Sequence, residues 1–221
     1  MTVRLPWPRI RTVLLDMDGT LLDLRFDNHF WRELVPARYA RRHDLSLERA
    51  RAEVAARTRA VEGTLAWYCL DYWTRELALD IVSLKREIEH LIAVHPHATD
   101  FLDALRAADK RAVLVTNAHP ESLALKMEKT RLAGHFDRIV CAHALDSVKE
   151  QPEFWPRLRA LEPFDPATTL LVDDHPAILR AASAFGIAHL VSVLRPDSAN
   201  PPKPPTEFPA IHDFSELLPV G

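Results

Sequence analysis

The sequence predicts an α/β protein: a parallel sheet covered by helices on both faces, with a separate helical domain inserted after the first strand. Three observations carry this reading. Short apolar runs at residues 13–15, 112–115, 139–141, 170–172 and 188–193 lack polar alternation, as strands buried on both faces do. Segments of helical period separate the later runs, which calls for right-handed crossovers between parallel strands. Between the first and second runs lie about seventy residues of helical pattern, far more than the few residues that usually join two elements.

Taken in order, the first run stops just before Asp16 and the helical insertion follows. Ser46 is placed to cap a helix running to Glu62, with Gly63 as its stop; Thr64 is placed to cap a second to about Leu77, and Asp80 a third ending near Ala93. His95 and Pro96 make the return linker, so the expected division is a core of residues 1–24 and 96–221 and an insertion of residues 25–95. In the core, residues 100–108 carry Phe101, Leu102 and Leu105 on one helical face, and residues 176–185 start at Pro176 and stop at Gly186, a residue suited to a helix C-terminus. Residues 196–209 are proline-dense and should form an extended, loosely ordered strap.

Bulk properties narrow the function. A chain of 221 residues with 48% hydrophobic positions can bury a full core, so disorder is not needed. The formal net charge of -3 lacks the cationic surface that a nucleic acid polymer requires. No run reaches membrane-spanning length, and residues 1–11 hold two prolines and no long apolar stretch, so a cytoplasmic protein without a membrane partner is expected. Cys69 and Cys141 read as small buried thiols without chemistry. His95 and His97 flank a proline without companion ligands, a poor zinc signature. His119 and His175 directly follow site motifs; either could touch substrate, yet polar residues at a helix start need no function, and neither is counted as catalytic.

The strand ends concentrate the chemistry. In an open parallel sheet the ligand crevice lies at the carboxyl ends of the strands, where Asp16, Thr116 and Asp173 all fall. In Asp16-Met17-Asp18-Gly19-Thr20, Asp16 can point into the crevice and attack phosphorus, splitting one displacement into two, while Asp18 reaches the same space to move protons. Gly19 permits backbone angles that a side chain forbids. Asp173 and Asp174 bring the carboxylates to four, and so many anions call for a hard cation such as Mg²⁺ among them. Thr116, Asn117 and Lys149 supply the donors and positive charge that a phosphoryl group needs.

In order and spacing, these residues resemble the four motifs of haloacid-dehalogenase-superfamily phosphatases. The resemblance implies a Rossmann-like core, a helical cap inserted after the first motif, Asp16 as nucleophile and Asp18 as acid/base. It also implies Mg²⁺ held by Asp16, the Asp18 backbone carbonyl and the pair Asp173 and Asp174. The strings Leu14-Leu15-Asp16-Met17-Asp18-Gly19-Thr20-Leu21-Leu22-Asp23-Leu24, Phe26-Asp27-Asn28, Trp67-Tyr68-Cys69-Leu70-Asp71-Tyr72-Trp73 and Thr116-Asn117-Ala118-His119-Pro120 are similar to bacterial GMP/IMP 5'-nucleotidases of that superfamily. That narrower resemblance implies purine nucleoside monophosphates as substrates.

Within the insertion, Ala66, Cys69, Leu70, Trp73 and Leu77 recur at helical spacing, which makes Trp73 a core residue. Tyr68, Asp71 and Tyr72 fall on the opposite side and, with Asn28, are the candidates for contacting a base. Phosphoglycolate or a sugar phosphate remains the alternative substrate. A phosphomutase, or a nucleotide sensor without catalysis, stands behind it. The presence of Asp18 speaks against a dehalogenase.

Overall fold

In the computed structural model, which describes residues 3–221, six strands form one all-parallel sheet in the order β3-β2-β1-β4-β5-β6. They are β1 (Thr12–Leu15), β2 (Arg111–Thr116), β3 (Arg138–Cys141), β4 (Thr169–Asp173), β5 (His189–Val193) and β6 (Ala210–Ile211). Met1 and Thr2, the start of the stretch read above for a leader, lie outside the described residues. The unbroken apolar runs have their expected cause. Alternate residues of each central strand feed two cores, Val13, Leu15, Leu114 and Val172 on one face and Leu14, Val113, Val115 and Leu171 on the other. Strand β6, two residues long, has too little pattern to be read from sequence.

Helices α1 (Arg25–His29), α2 (Val35–His43), α3 (Leu47–Ala60), α4 (Leu65–Tyr68), α5 (Leu70–Leu77) and α6 (Ile81–Glu87) form the inserted layer, with a π-helical turn over Phe30–Leu34. Its core gathers Phe26, Phe30, Tyr39, Val54, Trp73 and Ile81, and Trp73 is fully buried. The Ser46 and Asp80 hydroxyl and carboxyl accept amides in their first turns, as the capping signals require.

Three details differ from the sequence reading. Thr64 does not cap; its hydroxyl donates to the Val61 carbonyl, and the helix it was to start breaks at Cys69, which is extended (φ -84°, ψ 112°). The α-helix after Asp80 stops at Glu87, short of Ala93; a 3-10 turn follows over Glu89–Leu91, and from Ile92 the chain is drawn out: Leu22 bridges Val94, the Asp23 amide donates to the Ala93 carbonyl and the His95 amide to the Leu21 carbonyl. The outgoing and returning linkers thus run side by side as a double crossing between layer and sheet. The third difference is the proline-dense strap. It is extended but tied down: the Leu24 backbone amide donates to the Pro196 carbonyl, the Asn28 side-chain amide to Asp197 (2.6 Å), and Lys203 reaches Asp174.

Beyond the insertion come α7 (Ala98–Ala107), α8 (Pro120–Thr130), α9 (Phe154–Leu161) and α10 (Pro176–Phe185), the last closed by Gly186 at φ +104°. Register fixes the site. Leu15 lies level with Leu114 and Val172, so the residues that follow all three strands emerge at one edge of the sheet.

Candidate active site

Asp16, Asp173 and Asp174 converge at that edge, with one carboxylate oxygen from each within 4.8 Å of the others. Lys149 is wholly buried and sits between two of them, its ammonium 2.5 Å from Asp16 Oδ1 and 2.8 Å from Asp173 Oδ2. Lys203, from the strap, lies 2.8 Å from Asp174 Oδ2. Burial pushes the Asp16 and Asp173 carboxyls up to about 6, against the pull of Lys149 and with the help of each one's neighbouring aspartate. Asp174 is raised too, by burial first and by Asp16, with Lys203 opposing. On Lys149 the two aspartates outweigh burial and hold the ammonium charged.

The donor set suits a hard divalent cation. Three carboxylates crowd one space at the expense of their own ionisation, and the ammoniums of Lys149 and Lys203 are paired with them. Gly19 completes the cradle: at φ +88°, a Cβ built on it would lie 2.8 Å from Asp174 Cγ. Gly19→Ala is therefore expected to displace Asp174, to cost on the order of 1–3 kcal/mol of stability through backbone strain, and to weaken cation binding. Thermal unfolding with and without Mg²⁺ checks both effects.

Asp18 stands apart from this trio. Its carboxyl keeps 22% of its surface exposed and accepts from Lys126 Nζ at 2.6 Å. Burial, aided by Asp27 and Asp16, pushes it up to about 6 in spite of Lys126. Lys126 also holds Asp27 Oδ2 at 2.6 Å, and Asp27 Oδ1 accepts from Lys85 at 2.7 Å, so a buried chain of alternating charges runs from Asp18 into the helical layer. Although burial opposes it, the two lysines hold Asp27 far below the ordinary carboxylate range. Both ammoniums lie over the Phe26 ring, and Lys85 also over Phe30.

Thr116 ends β2 and Asn117 follows it, but they do different jobs. The Thr116 hydroxyl accepts the Ala118 amide at 3.0 Å and keeps its own proton to donate. The Asn117 side chain accepts from the Lys149 amide (3.0 Å) and donates to Glu150 (2.8 Å), so it braces the Lys149 loop. Tyr68 donates to the other Glu150 oxygen at 2.7 Å and ties α4 to the same loop. Burial beside Glu150 keeps that phenol protonated.

A cavity of about 600 Å³ opens above these groups, within the range of small-molecule sites. Asp16, Asp18 and Lys149 lie at its floor, and Trp31, Pro36, Val54 and Trp67 line its walls in the helical layer, with Arg32 and Arg51. Of the four candidates for base contact, Tyr68 and Asn28 line it, though Asn28 is committed to Asp197. Asp71 and Tyr72 do not. The break at Cys69 turns α5 away from the line of α4, leaving Asp71 exposed and packing Tyr72 edge-on against Trp73. Sequence reasoning missed Asp27, Lys85, Lys126, Glu150 and Lys203; of these only Asp27 lay in a string already singled out. Cys69 and Cys141 are half-buried free thiols rather than core residues.

The raised carboxyls make a pH prediction for the metal-free protein. Between the ordinary carboxylate value of 3.8 and the folded value of about 6 for Asp16, Asp18 and Asp173, the folded state binds more protons than the unfolded. Stability should therefore fall as pH rises through that window. A divalent cation that binds the deprotonated cluster should flatten the slope. Denaturant midpoints across the window, with and without Mg²⁺, check this.

With this geometry in view, the chain belongs to the haloacid dehalogenase-like hydrolases: the model of that family matches residues 10–186. It is 38% identical over 219 residues to the GMP/IMP nucleotidase YrfG of Escherichia coli (strain K12), covering 99% of each chain. Among solved structures, the HAD phosphatase from Thermococcus onnurineus superposes with a TM-score of 0.78 at 21% identity, over 94% of this chain and 96% of that one. The putative HAD-hydrolase YfnB from Bacillus subtilis, bound to magnesium, gives 0.61 at 18%, over 95% and 97%. Both likenesses concern the fold, which is the α/β, Rossmann-like core expected from sequence.

Proposed function

We propose that the chain is a 5'-nucleotidase that hydrolyses purine nucleoside monophosphates such as GMP and IMP, with Asp16 as nucleophile. The observation that carries this is the two-ended cavity, with carboxylates and Lys149 at the floor and tryptophans in the walls. Full-length similarity to a GMP/IMP nucleotidase supports the same substrate class. A phosphate fits the charged end, and a flat purine fits between aromatic walls better than a sugar does.

In this reading Asp16 attacks phosphorus in line, the ester P–O bond breaks, and Asp18, whose pKa is raised toward neutrality, acts in its protonated form and gives that proton to the leaving 5'-oxygen. Asp18, now a carboxylate, takes a proton from water, which attacks the aspartyl-phosphate, releases phosphate and restores Asp16. Thr116 donates to a phosphoryl oxygen, and Lys149 offsets its charge. Lys126 fixes the Asp18 carboxyl over the leaving group. Mg²⁺ is the cation that Asp16, Asp173 and Asp174 would hold, supplying positive charge to the transferring phosphoryl group. Residues 25–95 act as a cap hinged on the paired linkers, closing over the substrate to exclude water. The free thiols suit a cytoplasmic setting, and no described helix is long and apolar enough to cross a membrane.

The test is phosphate release from a panel of nucleoside monophosphates, phosphoglycolate and sugar phosphates, with and without Mg²⁺. GMP and IMP should lead in kcat/KM, and Trp67→Ala should raise their KM about tenfold, the worth of one lost stacking contact. Sugar phosphates ranking above GMP would overturn the substrate assignment. Isomerised ester in place of free phosphate would mark a mutase, and GMP binding without turnover a sensor.

A further inference from the structure

The apolar period over residues 66–77 calls for one continuous helix, yet the backbone leaves it at Cys69 and resumes at Leu70. Sharp breaks usually trace to proline, glycine or an inserted group, and Cys69 is neither of those residues. What the break achieves is placement. It brings the Cys69 thiol, from the helical layer, to two histidines of the sheet: His119, just before α8, and His143, just after β3. The Cys69 sulfur and one ring nitrogen from each histidine all lie within 4.8 Å of one another.

Two further observations point to a ligand. His143 Nε2 is buried with no hydrogen-bond partner among the described residues, and a buried nitrogen left without a partner is uncommon. The His143 ring meets the His119 ring edge to face at 5.0 Å, and its other nitrogen, Nδ1, faces the Cys141 sulfur at 3.6 Å. Asp71, exposed beside Cys69 in sequence, places a carboxylate oxygen 3.7 Å from His119 Nε2. One thiol, two imidazoles and a carboxylate are the donors of a tetrahedral zinc site, and they differ from the all-oxygen trio of Asp16, Asp173 and Asp174. At zinc bond lengths of about 2.0–2.3 Å the ligand atoms would stand roughly 3.3–3.8 Å apart, so closure needs movements of about 1 Å. His119 would carry its proton on Nδ1 and give up its long 3.4 Å contact with the Glu121 amide.

We propose that Cys69, His119 and His143, with Asp71 or water as fourth ligand, form a second metal site for Zn²⁺ or a similar thiophilic divalent ion. Binding expels the thiol proton and joins the helical layer to the sheet beside the cavity that His119 lines, holding the layer closed and slowing turnover. The site is independent of which phosphate ester the enzyme prefers.

The test is titration of the full-length protein with Co²⁺ in saturating Mg²⁺, followed by Zn²⁺. One equivalent of Co²⁺ should give a near-ultraviolet thiolate charge-transfer band and the strong visible bands of tetrahedral cobalt, both abolished by Zn²⁺. Cys69→Ser should lose the charge-transfer band, and His143→Ala, a change confined to the sheet side, should weaken binding at least about tenfold. Both variants should turn over without Zn²⁺ yet resist its inhibition by at least the same factor. Absence of a thiolate band in the wild-type protein overturns the site. So does Zn²⁺ inhibition undiminished in both variants, which places the inhibitory ion among the carboxylates.

Discussion

Replacing Asp16 with asparagine is expected to lower kcat for a phosphate monoester by on the order of 10⁴-fold while leaving the fold in place. The amide keeps the shape of the carboxyl but is no nucleophile, and nothing else in the cluster is placed to substitute. Asp18 is held by Lys126, Asp173 has both oxygens engaged, one by Lys149 and the other by the His175 amide, and Asp174 is held by Lys203. The fold should survive because Lys149 keeps Asp173 as a partner and the variant removes a charge from a site where burial already disfavours it. Turnover in saturating Mg²⁺ and thermal unfolding of the same preparation separate the two effects. Turnover within tenfold of wild type would remove Asp16 from the nucleophile's role.

Lys149→Met is expected to combine the largest loss of stability with a large loss of activity. The ammonium is completely buried and touches two carboxylates, so its removal leaves buried anions facing each other without compensation. Breaking such a pair from one side typically costs about 3–5 kcal/mol. The sign of the pH dependence identifies the cause. Without Lys149, Asp16 and Asp173 should titrate even higher, so the variant should recover part of its stability as the pH falls and the carboxyls take up protons. Mg²⁺ should also recover part of it by supplying charge to the same oxygens. A deficit that is the same at every pH and every Mg²⁺ concentration would mean that the methionine merely packs badly.

The catalytic floor was legible because each of its parts carries a local signal. A β1 run leading into Asp16, a glycine three residues on, a β2 run ending in Thr116 and a β4 run ending in Asp173 need only the rule that parallel strands share one carboxyl edge. The walls were not legible for two physical reasons. First, the helical face of residues 66–77 was projected through Cys69 as if the helix were continuous. The tertiary break there rotated Asp71 and Tyr72 out of the cavity while leaving Tyr68 in it. Second, the charges that steady the site pair over long separations: Lys126 stands 108 residues from Asp18 and 99 from Asp27. No window of sequence displays such a partner. The strap shows the same limit, since its prolines announce an extended path but not that Asp197 and Lys203 would meet Asn28 and Asp174.

The central claim is that a phosphoryl group passes through the Asp16 carboxyl, and reductive trapping addresses it directly. Borohydride added during turnover converts an aspartyl-phosphate to homoserine, and peptide mass spectrometry locates the changed residue. Homoserine at position 16, formed only when substrate and Mg²⁺ are both present, is the predicted result. Homoserine at Asp18 or Asp173, or an unmodified chain recovered from an enzyme that is turning over, would contradict it.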